Sequence, residues 1–467
     1  MLIRDAEIDG ERRDLRIDGE HIAEIGEALH ARPDELLVNA AGGLLIPGLH
    51  DHHLHLQSLA AARASVFCGP PQVRDAEALA HRLREAAAQG SGWLRGIGFH
   101  ESLMGDEPMD RRWLDRVVPD RPLRVQQRSG RLWILNSCAL DRLGVADAGG
   151  DDPCERIDGG LSGRLYDADA WLRSRLRGQR PDLAETSRWL ASLGVTGLTD
   201  TSHDNGPDEL RHFAAAQSRG ELLQSLMAMG DARLDAFGDL GGVQRGAHKF
   251  HLHDTDLPEL DDVVAAIRRS RAAGRGNAFH CVSRTDLVFA LAAVREAGAA
   301  PGDRIEHAGV APPELVEQIA ELGLTVVTQP NFIAERGDAY LDEVDADDRP
   351  WLYRLRGLLD AGIPLAGSTD APFGDADPWA AMQAAVTRRA PDGRAVGASE
   401  ALTPEQSLAL FLSPLQSPGT APRRVGIGAA ADLCLLREGW QQARQDLAAV
   451  RVRATIAQGQ LVFRSED

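Results

Sequence analysis

HKFHLHD (248–254), NAFHCV (277–282), RIEHAG (304–309), LTVVTQPNF (324–332) and IPLAGSTDAP (363–372) are short apolar stretches. Between them lie LDDVVAAIRRSRAAG (260–274), DLVFALAAVREAG (286–298), PELVEQIAELG (313–323) and WLYRLRGLLDAG (351–362). In the second set apolar residues recur at three- and four-residue steps and a glycine follows, as in amphipathic helices with a C-terminal stop. The first set reads as strands. Strands alternating with helices of this length predict βαβ units and a parallel sheet. GVTGLTDTS (194–202) and LLQSLMAMG (222–230) bring the strands to seven, and LLIPGLHDHHLH (44–55) makes eight. Eight such strands close a (β/α)8 barrel of the TIM type.

The rhythm fails between about residues 61 and 185, so that segment reads as an insertion after the first barrel strand. The two ends differ again. LIRDAEI, DLRIDGEHIAEIG and LLVNAAGGLLIPG at one end, ADLCLLREG and VRVRATIAQGQLVFR at the other, alternate apolar and polar residues between turns, as half-buried strands do. The expected division is a composite β-sandwich from 1–48 and 425–467, a barrel from 49–60 and 186–424, and an insert, 61–185, covering the active-site side.

Composition narrows the function. The chain has 467 residues with 51 basic and 70 acidic side chains, a formal charge of −19. Such a surface repels phosphate backbones and anionic lipid, so no nucleic-acid or membrane partner is expected. No apolar run approaches the ~20 residues of a membrane span, and the first residues lack the pattern of a signal peptide. Cys68, Cys138, Cys154, Cys281 and Cys434 are an odd, scattered set without zinc-ribbon spacing, which fits a reducing, cytoplasmic setting. Fifty of the basic residues are arginine and one is lysine, Lys249. Arginine stays charged, whereas a buried lysine loses its proton and becomes a nucleophile. Chance survival of one lysine is the alternative.

Several histidines fall at the carboxyl ends of the expected strands, the face where barrel enzymes hold their active sites. His53 and His55 are two apart and leave one face of an extended chain, close enough to share a divalent metal. His280 ends the fifth strand, His307 the sixth, Asp370 the eighth, and Lys249 lies on the fourth. Singly, each has an ordinary reading: a histidine-rich turn, a core histidine, a strand-end residue paired to Glu306, a helix N-cap. The ordered set argues against those readings jointly. His251 and His253 share the face of Lys249 by alternation and are alternative ligands. His50 and His52 lie out of phase and read as packing residues or as supports behind the ligands. His203, just past the second strand, reads as a mouth or surface residue.

The chain resembles the metal-dependent amidohydrolase superfamily, in its type 3 branch, which includes the N-substituted formamide deformylases. PGLHDHHLH (47–55) is similar to the family's PGxxDxHxH, RIEHA (304–308) to its sixth-strand motif and VVTQPNF (326–332) to its seventh. GSTDAPFGDADPWAAMQAAVTRR (367–389), LTPEQSLALF (402–411) and GAAADLCLL (428–436) resemble its closing segments. GWLRGIGFHE (92–101), LRVQQRSGRLWILNSCAL (123–140) and GLSGRLYDADA (160–170) resemble the branch's inserted region. The resemblance implies an amidohydrolase that cleaves a non-peptide C–N bond in an amide, N-formyl, N-acyl or cyclic amide. It implies two divalent ions, zinc first, with manganese, iron or cobalt compatible with imidazole and carboxylate donors. His53 and His55 would hold one ion with Asp370, His280 and His307 the other. A CO2-derived carbamate on Lys249 would bridge them, an adduct arginine cannot form. A bridging hydroxide would attack while Asp370 shuttles the proton, and Asp51 would orient a histidine. Barrels of this type often form homo-oligomers.

Arg131 stands where the family often has histidine, and Asp167 where its GxLxE motif has glutamate. Arg128, Arg131 and Trp133 are candidates for a substrate carboxylate, with a surface ion pair as the alternative. Asp167, Gln329 and Asn331 are further candidate substrate contacts. Neither a Walker loop nor a GxSxG elbow is present. Three rival functions stay open: a mononuclear ring deaminase, a Schiff-base enzyme using Lys249, and a non-catalytic scaffold.

Overall fold

In the computed structural model, which describes residues 1–466 apart from 71, 106, 146–151 and 177–179, the chain divides into two units. One comprises Met1–Leu56 and Leu183–Asp467, the other Gln57–Asp182.

The larger unit holds eight parallel strands in chain order around one sheet. We number them β1 (Leu49–Leu54), β2 (Val195–Asp200), β3 (Ser225–Gly230), β4 (Val243–His251), β5 (Asn277–Cys281), β6 (Arg304–His307), β7 (Thr325–Thr328) and β8 (Leu365–Gly367). The last strand returns to the first. Just past β8, the Asp370 amide donates to the His53 carbonyl, and the His55 amide donates to Ala371, each at 2.8 Å. This is the (β/α)8 barrel read from the sequence. Every residue of β1, β2 and β6 is buried, as expected of a sheet with side chains inside and helices outside.

The helices form for local reasons. Arg284–Ala297 starts at Ser283, whose hydroxyl accepts from the Asp286 amide while the Asp286 carboxylate accepts from the Ser283 amide. That reciprocal cap satisfies two otherwise orphaned donors. The helix buries Leu287, Ala290, Leu291 and Val294 and stops at Gly298, whose φ of +78° suits a residue without Cβ.

Residues 44–55 are two strands in two sheets, not the single strand the alternation suggests. Leu45–Pro47 pairs with Leu433–Leu436, while β1 pairs with β2. The switch falls at Gly48, whose amide donates to the Asp432 carbonyl. A Cβ there would lie 2.2 Å from the Thr196 side chain, so only glycine lets the chain cross between layers. The terminal strands form two four-stranded sheets, one ordered 21–26, 11–18, 2–8, 37–39 and the other 460–464, 452–457, 433–436, 45–47. Ile3, Leu15, Ile17 and Val38 pack with Leu433, Leu435 and Ile456 in one core. This is a sandwich built from both termini.

The unit 57–182 has a six-stranded sheet, ordered 154–157, 160–166, 132–135, 123–127, 94–99, 66–67. Helices Ala76–Ala88, Arg111–Val117 and Ser137–Leu143 accompany it. Among the described residues no helix is long and apolar enough to cross a membrane.

Candidate metal centre

The register of the barrel decides which side chains meet. His251 pairs with His280, His280 with Glu306, and Cys281 with His307. Paired residues of a parallel sheet share a face, so Glu306 belongs with His280 inside the barrel, and alternation alone would send His307 outward. The backbone breaks that alternation. His307 has φ +69° and Ala308 φ +49°, left-handed conformations that cost a non-glycine residue about 1–3 kcal/mol each. The turn brings the His307 ring back to the barrel mouth, with Nε2 2.9 Å from His280 Nδ1. Thr328 Oγ donates to the His307 carbonyl at 2.8 Å and holds it there. Asp370 is likewise left-handed, at φ +56°.

Six expected side chains line this mouth. His53, His307 and Asp370 are buried and present ligand atoms that all lie within 4.8 Å of one another. Asp370 Oδ1 is 3.4 Å from His53 Nε2 and 3.3 Å from His55 Nε2. The His53 and His307 rings are 4.8 Å apart, and the His280 and His307 rings 4.4 Å. Lys249 is 5% exposed, and its Nζ has no hydrogen-bond partner among the described residues.

Three of the ligand candidates are gripped from behind. His53 Nδ1 lies 2.5 Å from Glu306 Oε2, His55 Nδ1 lies 3.1 Å from Ser202 Oγ, and His307 Nδ1 lies 2.7 Å from Gln329 Oε1. In each case the Nε2 is left toward the others, the arrangement metal-binding histidines need. Asp51 accepts from the amides of His53 and Thr369 and from Thr369 Oγ, tying β1 to the segment after β8.

The electrostatics suit cation binding. Burial, His307 and Lys249 together push His280 far below the usual imidazole range, and burial beside His53 pushes His307 down to about 3. Both rings therefore stay neutral. Burial opposes ionisation of Asp370 and Glu306. The neighbours outweigh it: His53 and His307 hold Asp370, and Arg304, Lys249 and His53 hold Glu306, well below the usual carboxylate range. Burial lowers Lys249 from 10.5 to about 8. A buried amine without a partner, among imidazoles and ionised carboxylates, is a donor set that divalent cations fit.

The remaining expectations divide. His251 and His253, exposed at and beyond the end of β4, stay beside the site, with rings 4.8 and 5.7 Å from that of His280, and His203 stacks on His251 at 4.5 Å. His50 and His52 are buried around Ser413. Gln329 is fully buried and spends both ends of its amide, on His307 and on Ser368 Oγ. Asn331 donates to the Thr369 carbonyl and to Glu335. In the smaller unit, Arg131 and Asp167 are exposed and form a two-pronged ion pair at 2.8 and 2.6 Å. Arg128 is exposed, and Trp133 is packed in that unit's core beneath Arg95 and Arg124. Sequence reasoning missed Arg304, Glu306 and Thr369 as site residues. The signal was there for Glu306, two positions after Arg304 on one strand face, but it pointed the wrong way for His307.

Comparison with known proteins agrees with this geometry. Residues 36–463 match the amidohydrolase family, and the chain belongs to it. It is therefore an amidohydrolase, in a class of metal-dependent enzymes that cleave C–N bonds other than peptide bonds. It is 24% identical to N-substituted formamide deformylase from Arthrobacter pascens, over 96% of this chain and 94% of that protein. An uncharacterised metal-dependent hydrolase from Pyrococcus horikoshii OT3 has the same fold, with TM-score 0.77, 19% identity and coverage of 94% and 97%. Atrazine chlorohydrolase TrzN from Arthrobacter aurescens TC1, complexed with zinc, matches with TM-score 0.53, 15% identity and coverage of 98% and 94%.

Proposed function

We propose that this chain hydrolyses the C–N bond of an amide-like small molecule (amide, N-formyl, N-acyl or cyclic amide) at a centre of two divalent ions, zinc first. The observation that carries this reading is the convergence of His53, His307 and Asp370 within 4.8 Å, beside a buried lysine without a partner. His53, His55 and Asp370 would hold one ion, His280 and His307 the other, with Lys249 between them as a carbamate. When bound, the ions supply an acidified water and polarise the substrate carbonyl. The formamide deformylase relative supports the bond type, and the zinc complex of the chlorohydrolase supports the metal.

The side chains divide the remaining work. Lys249, lowered to about 8 by burial, keeps neutral amine within reach of neutral pH. Its lone pair adds to the carbon of CO2, one proton leaves the nitrogen, and the lysine becomes a carboxylate donor. Asp370, ionised at rest, accepts the proton of the attacking water and passes it to the departing nitrogen. Glu306, Ser202 and Gln329 hold the three imidazoles in place.

A mononuclear deaminase centre is the second reading, favoured because the tight group contains three residues and omits His280. Metal analysis of protein grown with metal supplied, beside a screen of N-formyl, N-acyl, carbamoyl and cyclic amide compounds, tests both. Two ions per chain with turnover in that screen is expected. One ion, with Lys249→Ala fully active, selects the deaminase. Folded protein with no stoichiometric metal refutes both.

A further inference from the structure

Glu306 lies behind the ligand set, has no exposed surface, and is used at both oxygens. Arg304 Nε donates to Oε1 at 2.5 Å, and Oε2 lies 2.5 Å from His53 Nδ1. The other arm of the Arg304 guanidinium donates to the His52 carbonyl at 2.8 Å. One cation thus anchors both the carboxylate and the backbone of the strand that carries His53. A carboxylate only accepts hydrogen bonds, so His53 Nδ1 must carry the proton in this arrangement. His53 Nε2 is then the nitrogen on the side of Asp370, 3.4 Å from its Oδ1, and the one a cation would use.

We propose that Glu306 is a positioning residue that sets the tautomer of His53, and that Arg304 enforces its choice by occupying the other oxygen. The inference rests on the metal-centre reading above and extends it to two residues that touch neither metal nor substrate. The reason is the logic of donors. An imidazole with its proton on Nε2 offers no lone pair to a cation, whatever its position. A partner that merely filled space behind His53 would leave the tautomer free, whereas a fixed acceptor leaves one outcome.

The geometry makes an unusual forecast for the isosteric variant Glu306→Gln. Arg304 Nε still demands an acceptor, so the amide oxygen turns to it and the amide NH2 faces His53 Nδ1. That orientation requires a bare Nδ1 and moves the ring proton to Nε2. Shape and volume are kept, yet the ligand is inverted. Replacing Arg304 as well releases the amide to rotate and offer its oxygen to His53, restoring the original tautomer.

The test titrates chelator-stripped protein with Co2+, reading the visible spectrum and competition with a chelator. Wild type, Glu306→Gln and Arg304→Met/Glu306→Gln are compared, with the apoprotein melting curve run in parallel. Glu306→Gln is expected to weaken Co2+ binding by about 10- to 100-fold, the range for residues that orient a metal ligand. The double variant is expected to recover most of that loss. Wild-type affinity in Glu306→Gln, or a double variant no better than the single one, overturns the proposal. A wild type that binds no Co2+ instead sinks the metal-centre reading itself. If Glu306→Gln does not fold, Arg304→Met/Glu306→Gln is set against Arg304→Met/Glu306→Leu. Both pairs remove both charges, and only the first keeps an acceptor. The Leu pair should bind at least about tenfold more weakly, and equal affinity overturns the proposal.

Discussion

Replacing Lys249 with methionine should stabilise the metal-free protein while abolishing its activity. Lys249 is buried, its Nζ has no partner, and burial lowers it from 10.5 to about 8. At 1.36 kcal/mol per pH unit, holding that amine as ammonium in the fold costs about 3 kcal/mol. The sign follows from linkage. For a base whose value is depressed on folding, the penalty is fully present below about pH 8, shrinks as pH rises and is gone above 10.5. Methionine has similar length and carries no charge to desolvate. In CO2-free buffer with chelator, denaturant titration should find Lys249→Met more stable than wild type by about 3 kcal/mol at pH 7. The gap should narrow to about 1 kcal/mol at pH 9.5. With metal and bicarbonate restored, the variant should lose activity by at least about 100-fold, the scale of losing one transition-state electrostatic contact. Equal or lower stability at pH 7, or a gap that does not narrow with pH, would refute the view of Lys249 as a charge misfit kept for chemistry.

Three further outcomes are expected. Asp370→Asn should lower kcat by about 10²- to 10⁴-fold with little change in KM; steady-state kinetics on the substrate found by screening decides it, and an unaffected kcat rules out the proton role. Gln329→Leu strips His307 Nδ1 and Ser368 Oγ of a buried partner. Calorimetry should show a loss of about 1–3 kcal/mol per orphaned group, and chelator competition should show weaker metal binding. Arg388, fully buried, donates to the carbonyls of Val396, Tyr353 and Leu352 at 2.9–3.0 Å. Arg388→Met should therefore cost about 3–5 kcal/mol in denaturant melts while leaving the metal content of the folded fraction unchanged; a near-neutral melt would show those carbonyls finding water.

The barrel and the candidate ligands were legible in the chain because their signals are local. Helical periodicity between glycine stops, strand after strand, leaves few alternatives to a closed parallel sheet. The carboxyl ends of those strands then name His53, His55, Lys249, His280, His307 and Asp370 without coordinates. A lone lysine among fifty arginines marked its own position. The strand switch at Gly48, the turn at His307 and the pairing of Arg304 with Glu306 were not legible. Residues 44–55 read as one strand because alternation does not report which sheet a strand joins. Gln329 read as a substrate contact because its position at a strand end is visible, while the ring 2.7 Å away lies 22 residues earlier in the chain.

Position at a strand's carboxyl end, visible in the sequence, determined which residues could reach the barrel mouth. Only the folded chain decided how they face one another there. Side-chain direction at a strand end depends on backbone angles that neighbouring strands impose. His307 takes a left-handed conformation that its own preferences oppose, because Thr328, Gln329 and Glu306, from two strands and the loop that follows, hold it in place. That choice is made by contacts, and contacts between distant segments exist only once the barrel has closed.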